Sequence, residues 1–193
     1  MGGGAIWMTN NGHISKAEWI RGVLERYEGP LTRYALQITG NLERARDVVQ
    51  DTLLKLCEKE PDEIERYLGQ WLFTVCRNRA LDVQRKESWI RSIAAEELDD
   101  HSSTDLPPDK VIELKEDEHE LVKLLETLPW RQQEIVRLKF QNGLSYAEIG
   151  RITNLSVSNV GFILHQAIQS LRRQAKSNST TNIPRLTSYE NRS

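Results

Sequence analysis

From Leu144 to Arg173 the chain prescribes two helices joined by a turn too short to let them part. Ser145 can cap a short helix, Tyr146 to Thr153. Asn154-Leu155 makes a tight turn, and Ser156 can cap a second helix from Val157 to about Arg173. Gly150 is small where two helices would cross closely, and Asn154 tolerates the left-handed backbone that such turns need. Ile149, Ile152, Leu155, Val160, Ile163 and Leu164 are apolar where the pair must pack. This is helix-turn-helix spacing. The outward positions of the second helix are Ser158, Asn159, Phe162, His165, Gln166 and Gln169, which in a helix-turn-helix enter the major groove. Ser and Asn can hydrogen-bond bases, and Phe can touch a thymine methyl. An ordinary helical hairpin without a DNA role stays open, because the outward face holds no Lys or Arg before Arg172-Arg173. Phosphate attraction would then come from Arg131, Arg137, Lys139 and Arg151.

The rest of the chain also reads as helical. Ser15 with Glu18 makes a capping box ahead of Trp19, Ile20, Val23, Leu24 and Tyr27 at helical spacing. Gly29-Pro30 predicts an interruption, and Leu31, Tyr34, Ala35 and Ile38 a second helix ended by Gly40-Asn41. A third helix is predicted from Leu42 to Glu58, with Ala45, Val48, Val49, Thr52, Leu53 and Leu56 inward. Pro61 predicts a loop. A fourth helix is predicted from Ile64 to Glu87, with Leu68, Leu72, Val75, Cys76 and Leu81 inward. A Ser/Thr/Pro-bearing stretch from Glu96 to Asp109 holds few apolar residues and cannot offset its own ordering entropy, which makes it a linker. Helical periodicity resumes near Val111 and runs through Leu121, Leu124, Leu125 and Leu128. After Arg173 a Ser/Asn/Thr-rich tail reads as disordered. The expected fold class is all-α. Two small helical domains, 14–92 and 120–174, are joined by a flexible acidic linker, 93–119, between a flexible start, 1–13, and a disordered tail, 175–193.

Composition matters where it excludes. No apolar run approaches the ~20 residues of a membrane span, and the start lacks a secretory pattern, so the cytoplasm is expected. Cys57 and Cys76 have no partner at ligand spacing and fall in apolar helical patterns, which predicts buried thiols. His13, His101, His119 and His165 show no ligand spacing, and no phosphate loop, HExxH or nucleophile elbow occurs. No metal, no cofactor and no enzyme activity is expected. Net charge is −2 but segmented: residues 71–91 carry +3, residues 96–120 carry −9 and residues 121–173 carry +4. Two basic blocks around an acidic one suit a nucleic-acid partner. The acidic segment could mimic nucleic acid or act as a solvated tether.

At this point the chain resembles a known family. LPWRQQEIVRLKFQNGLSYAEIGRITNLSVSNVGFILHQAIQSLRR is similar to the promoter-binding C-terminal domain of sigma factors, and also to the DNA-binding domain of LuxR-type regulators. ARDVVQDTLLKLC (Ala45 to Cys57) resembles the sigma segment that grips the β′ clamp helices of core RNA polymerase. YLGQWLFTVCRNRALDVQRK (Tyr67 to Lys86) resembles the segment that melts and reads the −10 element. Order and spacing resemble the two-domain extracytoplasmic-function (ECF) group of the sigma-70 family, over about residues 15–173. The resemblance implies a polymerase-binding set of Asp47, Val48, Gln50, Asp51 and Leu54. It implies a −10 set of Arg66, Trp71, Arg77, Asn78, Arg85 and Lys86, with a base-capturing loop around Lys59 to Arg66. Aromatics beside positive charge suit single-stranded DNA. Trp71 and Phe73 could instead be core. The −35 set is Arg151, Ser156, Ser158, Asn159, Phe162, His165 and Arg172. Implied partners are core RNA polymerase (β′ clamp helices and β flap), promoter DNA and an anti-sigma factor. Where many members carry a basic pair in the recognition helix, this chain has Gly161, Phe162 and Ile163, with Gln166 further on. The alternative is a LuxR-type regulator that binds duplex DNA without polymerase.

Overall fold

The computed structural model describes residues 15–97 and 124–181, with side chains over 15–90 and 124–175. Every regular element among the described residues is helical. The chain splits into two compact units at residue 109, with residues 150–155 grouped with the first.

In the N-terminal unit, α1 runs from Lys16 to Thr39 as one helix, with Pro30 inside it. The sequence predicts a break there. Proline removes one backbone donor and costs about 3 kcal/mol in a helix interior. Burial on both sides opposes that cost, because Trp19 and Val23 before the proline and Leu31, Tyr34, Ala35 and Ile38 after it are all buried. The helix starts on the Ser15–Glu18 capping box and ends at Gly40, whose φ of 66° is the left-handed conformation that glycine adopts without a Cβ clash. Hydrogen bonds from the Ser15 backbone and hydroxyl hold the Glu18 carboxyl below its ordinary pKa.

Asn41 caps α2, Leu42–Cys57, by accepting from the Arg44 amide at 3.0 Å. Its inward residues are Ala45, Val48, Val49, Thr52 and Leu56. Buried Thr52 satisfies its hydroxyl by donating to the Val48 carbonyl at 2.8 Å. The predicted loop around Pro61 is instead a short helix, α3 (Pro61–Ile64), followed by a 3₁₀ turn, Glu65–Tyr67. Proline suits the first turn of a helix, where its missing N–H would have no partner. The last helix of this unit, α4, spans Leu68–Glu97. It starts later than Ile64 and runs past Glu87, since no Gly or Pro interrupts residues 88–97. Leu68, Leu72, Phe73, Cys76 and Ala80 are its core residues, whereas Val75 and Leu81 are half-buried. α1, α2 and α4 pack on one another. The Tyr34 and Phe73 rings meet edge to face at 5.3 Å between centroids.

The two cysteines part company. Cys76 is buried, its Sγ 3.9 Å from the Leu31 carbonyl, and desolvation pushes its thiol up to about 12. Cys57 is exposed, against expectation. The buried stripe of α2 steps through Val49, Thr52 and Leu56, and Cys57 lies one residue, about 100° of turn, beyond it. Iodoacetamide on the folded protein near neutral pH is therefore expected to modify Cys57 alone, and both thiols after denaturation. Intact-mass and peptide mass spectrometry would read this, and rapid labelling of Cys76 in the folded state would contradict its burial.

In the C-terminal part of the chain a helical turn at 124–126 leads to α5, Trp130–Phe140, then α6, Tyr146–Thr153, and α7, Val157–Thr181. α5 packs on α7. Leu125, Leu128, Ile135, Leu138, Val160, Leu164 and Ala167 are buried. α7 passes well beyond Arg173, so residues 175–181 of the expected disordered tail are helical, with Gln174, Ala175 and Lys176 as good helix formers at the extension. The acidic segment 98–123, with His101 and His119, and residues 182–193 lie outside the described residues, as does His13.

Candidate docking and nucleic-acid surfaces

Helical phase separates fold from surface on α2. Asp47, Gln50 and Leu54 recur three and four residues apart and are exposed, Leu54 at 59%. Asp51 flanks this face and accepts from Arg79 Nε of α4 at 2.7 Å. Both partners are about half exposed, so the pair contributes at most about 1 kcal/mol. Val48 does not belong to the face. It is 1% exposed and packs inward with Ala45 and Val49, because the stripe that suits docking lies half a turn away. What remains is an acidic and amide rim around one exposed leucine.

α4 has the same division. Trp71, Asn78 and Arg85 stand seven residues apart, so they share a stripe opposite Leu72, Cys76 and Ala80. Trp71 is half-buried, Asn78 and Arg85 are exposed, and Arg85 pairs with Asp82 one turn back. Lys86 is exposed on one flank of the stripe, and Arg77 is half-buried on the other. Phe73 is only 1% exposed against Tyr34 and cannot stack on a base. Arg66 is exposed on the 3₁₀ turn, next to Tyr67, which is 42% exposed. Two exposed aromatics here, Tyr67 and Trp89, lie outside the −10 set expected from the sequence. Trp89 is 65% exposed and stands five full turns after Trp71, on the same stripe. That spacing was the signal available for it.

The helix-turn-helix forms as its residues dictate. Ser145 and Glu148 make a capping box: the Ser145 amide donates to the Glu148 carboxylate at 2.7 Å, and Ser145 Oγ accepts from the Glu148 amide at 3.3 Å. Asn154 has φ 58°, the sole positive φ at a non-glycine among the described residues, and the Leu155 amide donates back to the Gly150 carbonyl at 2.8 Å. Ser156 Oγ caps α7 by accepting from the Asn159 amide at 3.2 Å. A left-handed backbone costs most residues about 1–2 kcal/mol and glycine nothing. Asn154→Val is therefore expected to lower the stability of the helix-turn-helix by roughly that much, and Asn154→Gly to leave it near wild type, as urea titration would show. Equal stability of the two variants would contradict the strained turn.

Ser158, Asn159, Phe162, His165, Gln166, Gln169 and Arg172 are all exposed on α7, while Val160, Leu164 and Ala167 are buried. Gln169 Nε2 lies 2.9 Å from His165 Nε2, so neighbouring polar groups on this face are bonded to each other. The four cations named for phosphate contact differ. Arg131 and Arg151 are exposed. Arg137 is half-buried, and desolvation lowers its pKa against the opposing pull of Glu126. Lys139 donates to the Leu144 carbonyl at 3.3 Å and sits 5.4 Å above the Tyr146 ring. Arg137 and Lys139 are thus engaged by their surroundings, and Arg151 Nη1 donates to Gln70 Oε1 at 2.8 Å. Among the described residues no group of His, Cys, Asp or Glu could hold a metal, and no helix is long and apolar enough to cross a membrane.

The family model described as sigma-70 region 2 matches residues 23–90, which hold α2 and most of α4. The model described as sigma-70, region 4 matches residues 118–171, which hold the helix-turn-helix. The ECF RNA polymerase sigma factor SigL of Mycobacterium tuberculosis is 29% identical over 161 residues, spanning 82% of this chain and 89% of the relative. SigW of Bacillus subtilis, also an ECF RNA polymerase sigma factor, is 25% identical over 164 residues, 80% of this chain and 87% of the relative. Among solved structures the fold resembles the sigma factor RpoE of Bartonella quintana, in complex with the anti-sigma factor NepR. The TM-score is 0.63 at 24% identity, over 82% of this chain and 98% of that one. A regulator that binds duplex DNA by itself has no use for region 2, and the LuxR-type reading is not supported. Two regions of one family in their expected order, with full-length relatives of the same kind, establish that the chain belongs to the ECF group of sigma-70 family sigma factors and directs promoter-specific transcription.

Proposed function

We propose that the exposed face of α2 docks on the β′ clamp helices of core RNA polymerase through Leu54, with Asp47, Gln50 and Asp51 around it. The observation that carries this reading is the phase of α2: Leu54, its most exposed large apolar side chain at 59%, stands on the polar-acidic face within the region 2 match, while Leu42, 37% exposed, sits at the first residue of the helix, off that face. A desolvated anchor with a polar rim is what protein docking needs. The outward stripe of α4, Trp71, Asn78 and Arg85, with Lys86, Arg77 and Arg66 beside it, then captures the unpaired −10 strand. Stacking contributes about 1–3 kcal/mol per base, which offsets much of the cost of unpairing. α7 lies in the −35 major groove, with Ser156, Ser158, Asn159, Phe162 and His165 toward the bases and Arg151 and Arg172 toward phosphates. The C-terminal unit meets the β flap.

The chain performs no bond chemistry itself; polymerase does. Its place is the cytoplasm, its domains are 14–92 and 120–174, and the acidic segment between them is a tether. An anti-sigma factor holds the free protein, a reading supported by relatives of the same fold captured with such partners.

Size-exclusion chromatography of the full chain with bacterial core polymerase, followed by transcription from a randomised promoter pool, tests this. Co-elution and a defined set of transcribed promoters are expected. A folded chain that elutes apart from polymerase would overturn the docking face.

A further inference from the structure

Ahead of Arg172 the reading face of α7 has no acidic residue, lysine or arginine. Residues 152–171 contain no Asp, Glu, Lys or Arg. The commonest specific base contact, an Arg or Lys fork on guanine O6 and N7, is therefore unavailable along this stretch. The face instead offers hydroxyl and amide groups around a single hydrophobe. Phe162 is 60% exposed. Its neighbours one turn away are Ser158 and Asn159 before it and His165 and Gln166 after it, all exposed and polar. Val157, the other exposed hydrophobe of α7, is five residues back and on another side of the helix. The apolar contact area is thus one side chain wide. That is too small for a protein hot spot, which needs a buried cluster with a surrounding rim. It matches one methyl group set among hydrogen-bonding base edges.

We infer that Phe162 reads the C5-methyl of a thymine in the upstream promoter element, and that Asn159, one turn earlier, reads an adjacent adenine through N6 and N7. The element this protein selects is therefore centred on A·T pairs, chosen without a cation. The inference rests on the placement of α7 in the major groove proposed above, and it adds the identity of the bases. Asn159 and Phe162 are three residues apart on one exposed face, which spans neighbouring base pairs.

Deoxyuridine tests it, because uracil pairs as thymine does and lacks only the methyl. Promoters are first selected with the reconstituted holoenzyme from a pool randomised upstream of the −10 element. Each upstream thymine of the winner is then replaced singly by deoxyuridine. The expected result is one position where the replacement weakens promoter binding about fourfold, the loss of one methyl-sized contact. Phe162→Leu should keep that dependence in part, and Phe162→Ala should bind the two templates equally. The ratio between templates should be the same at about 50 and about 200 mM salt, because no phosphate contact is involved. Selected elements without thymine would overturn the inference, as would indifference of the wild type to deoxyuridine at every position. If Phe162→Ala weakens binding yet retains the methyl dependence, the ring acts on a protein surface or on the fold and the inference fails. A chain that does not co-elute with polymerase overturns the docking reading, and this inference with it. Normal co-elution with no methyl effect overturns the base assignment alone.

Discussion

Leu54→Arg is expected to lower the affinity of the full-length protein for core RNA polymerase by about thirtyfold or more, the loss of a central interface anchor. The side chain is 59% exposed on α2 and contributes little to the folded unit, so its replacement should change stability by no more than about 0.5 kcal/mol. The charge would enter a face that must be desolvated on docking, where an unpaired cation is costly. Fluorescence anisotropy of a labelled chain titrated with polymerase reads the affinity, and circular dichroism melting reads the fold. Unchanged affinity would remove the outward face of α2 from the interface. Asp51→Arg would be a less clean probe. It places a second cation beside Arg79, which now donates to Asp51, and so disturbs the link between α2 and α4 as well as the face.

Phe73→Ala is expected to destabilise the N-terminal unit by about 3–5 kcal/mol, the usual cost of removing a buried phenyl ring. The ring is 1% exposed and sits edge-on to Tyr34, which is itself buried. Small domains are stable by only about 5–15 kcal/mol, so most of the margin would be spent and the denaturation midpoint should fall sharply at unchanged slope. Arg85→Ala, by contrast, removes an exposed side chain and should leave the midpoint in place while weakening promoter opening. The two outcomes separate core from surface on one helix. A stable Phe73→Ala protein that fails only at promoter opening would put the ring on DNA.

Much of this was legible from the residues. The Ser15–Glu18 box, the Gly40-Asn41 stop and the whole of the Ser145–Ser156 turn are local rules, and the chain obeys them. The departures lie where tertiary packing competes with local preference or where a helix face has its edge. Pro30 should break a helix, and the buried residues on either side keep it whole. Val48 shares the polar stretch of α2 in sequence yet falls half a turn away in space, and Cys57 falls just outside the buried stripe. Periodicity gives the faces of a helix to within about one residue, which is enough to find a docking face and too coarse to assign its edge. Trp89 was missed for a different reason. The predicted helix ended at Glu87, so a tryptophan in phase with Trp71 had no helix to belong to.

The alternation along α7 has a consequence for how such a protein can change. Val160, Leu164 and Ala167 hold the helix to its unit, and Ser158, Asn159, Phe162, His165 and Gln166 take no part in that task. The outward set can therefore be exchanged as a block at almost no folding cost. A duplicated copy of the chain could drift toward a new group of genes through a handful of substitutions while its attachment to the transcription machinery stayed as it was.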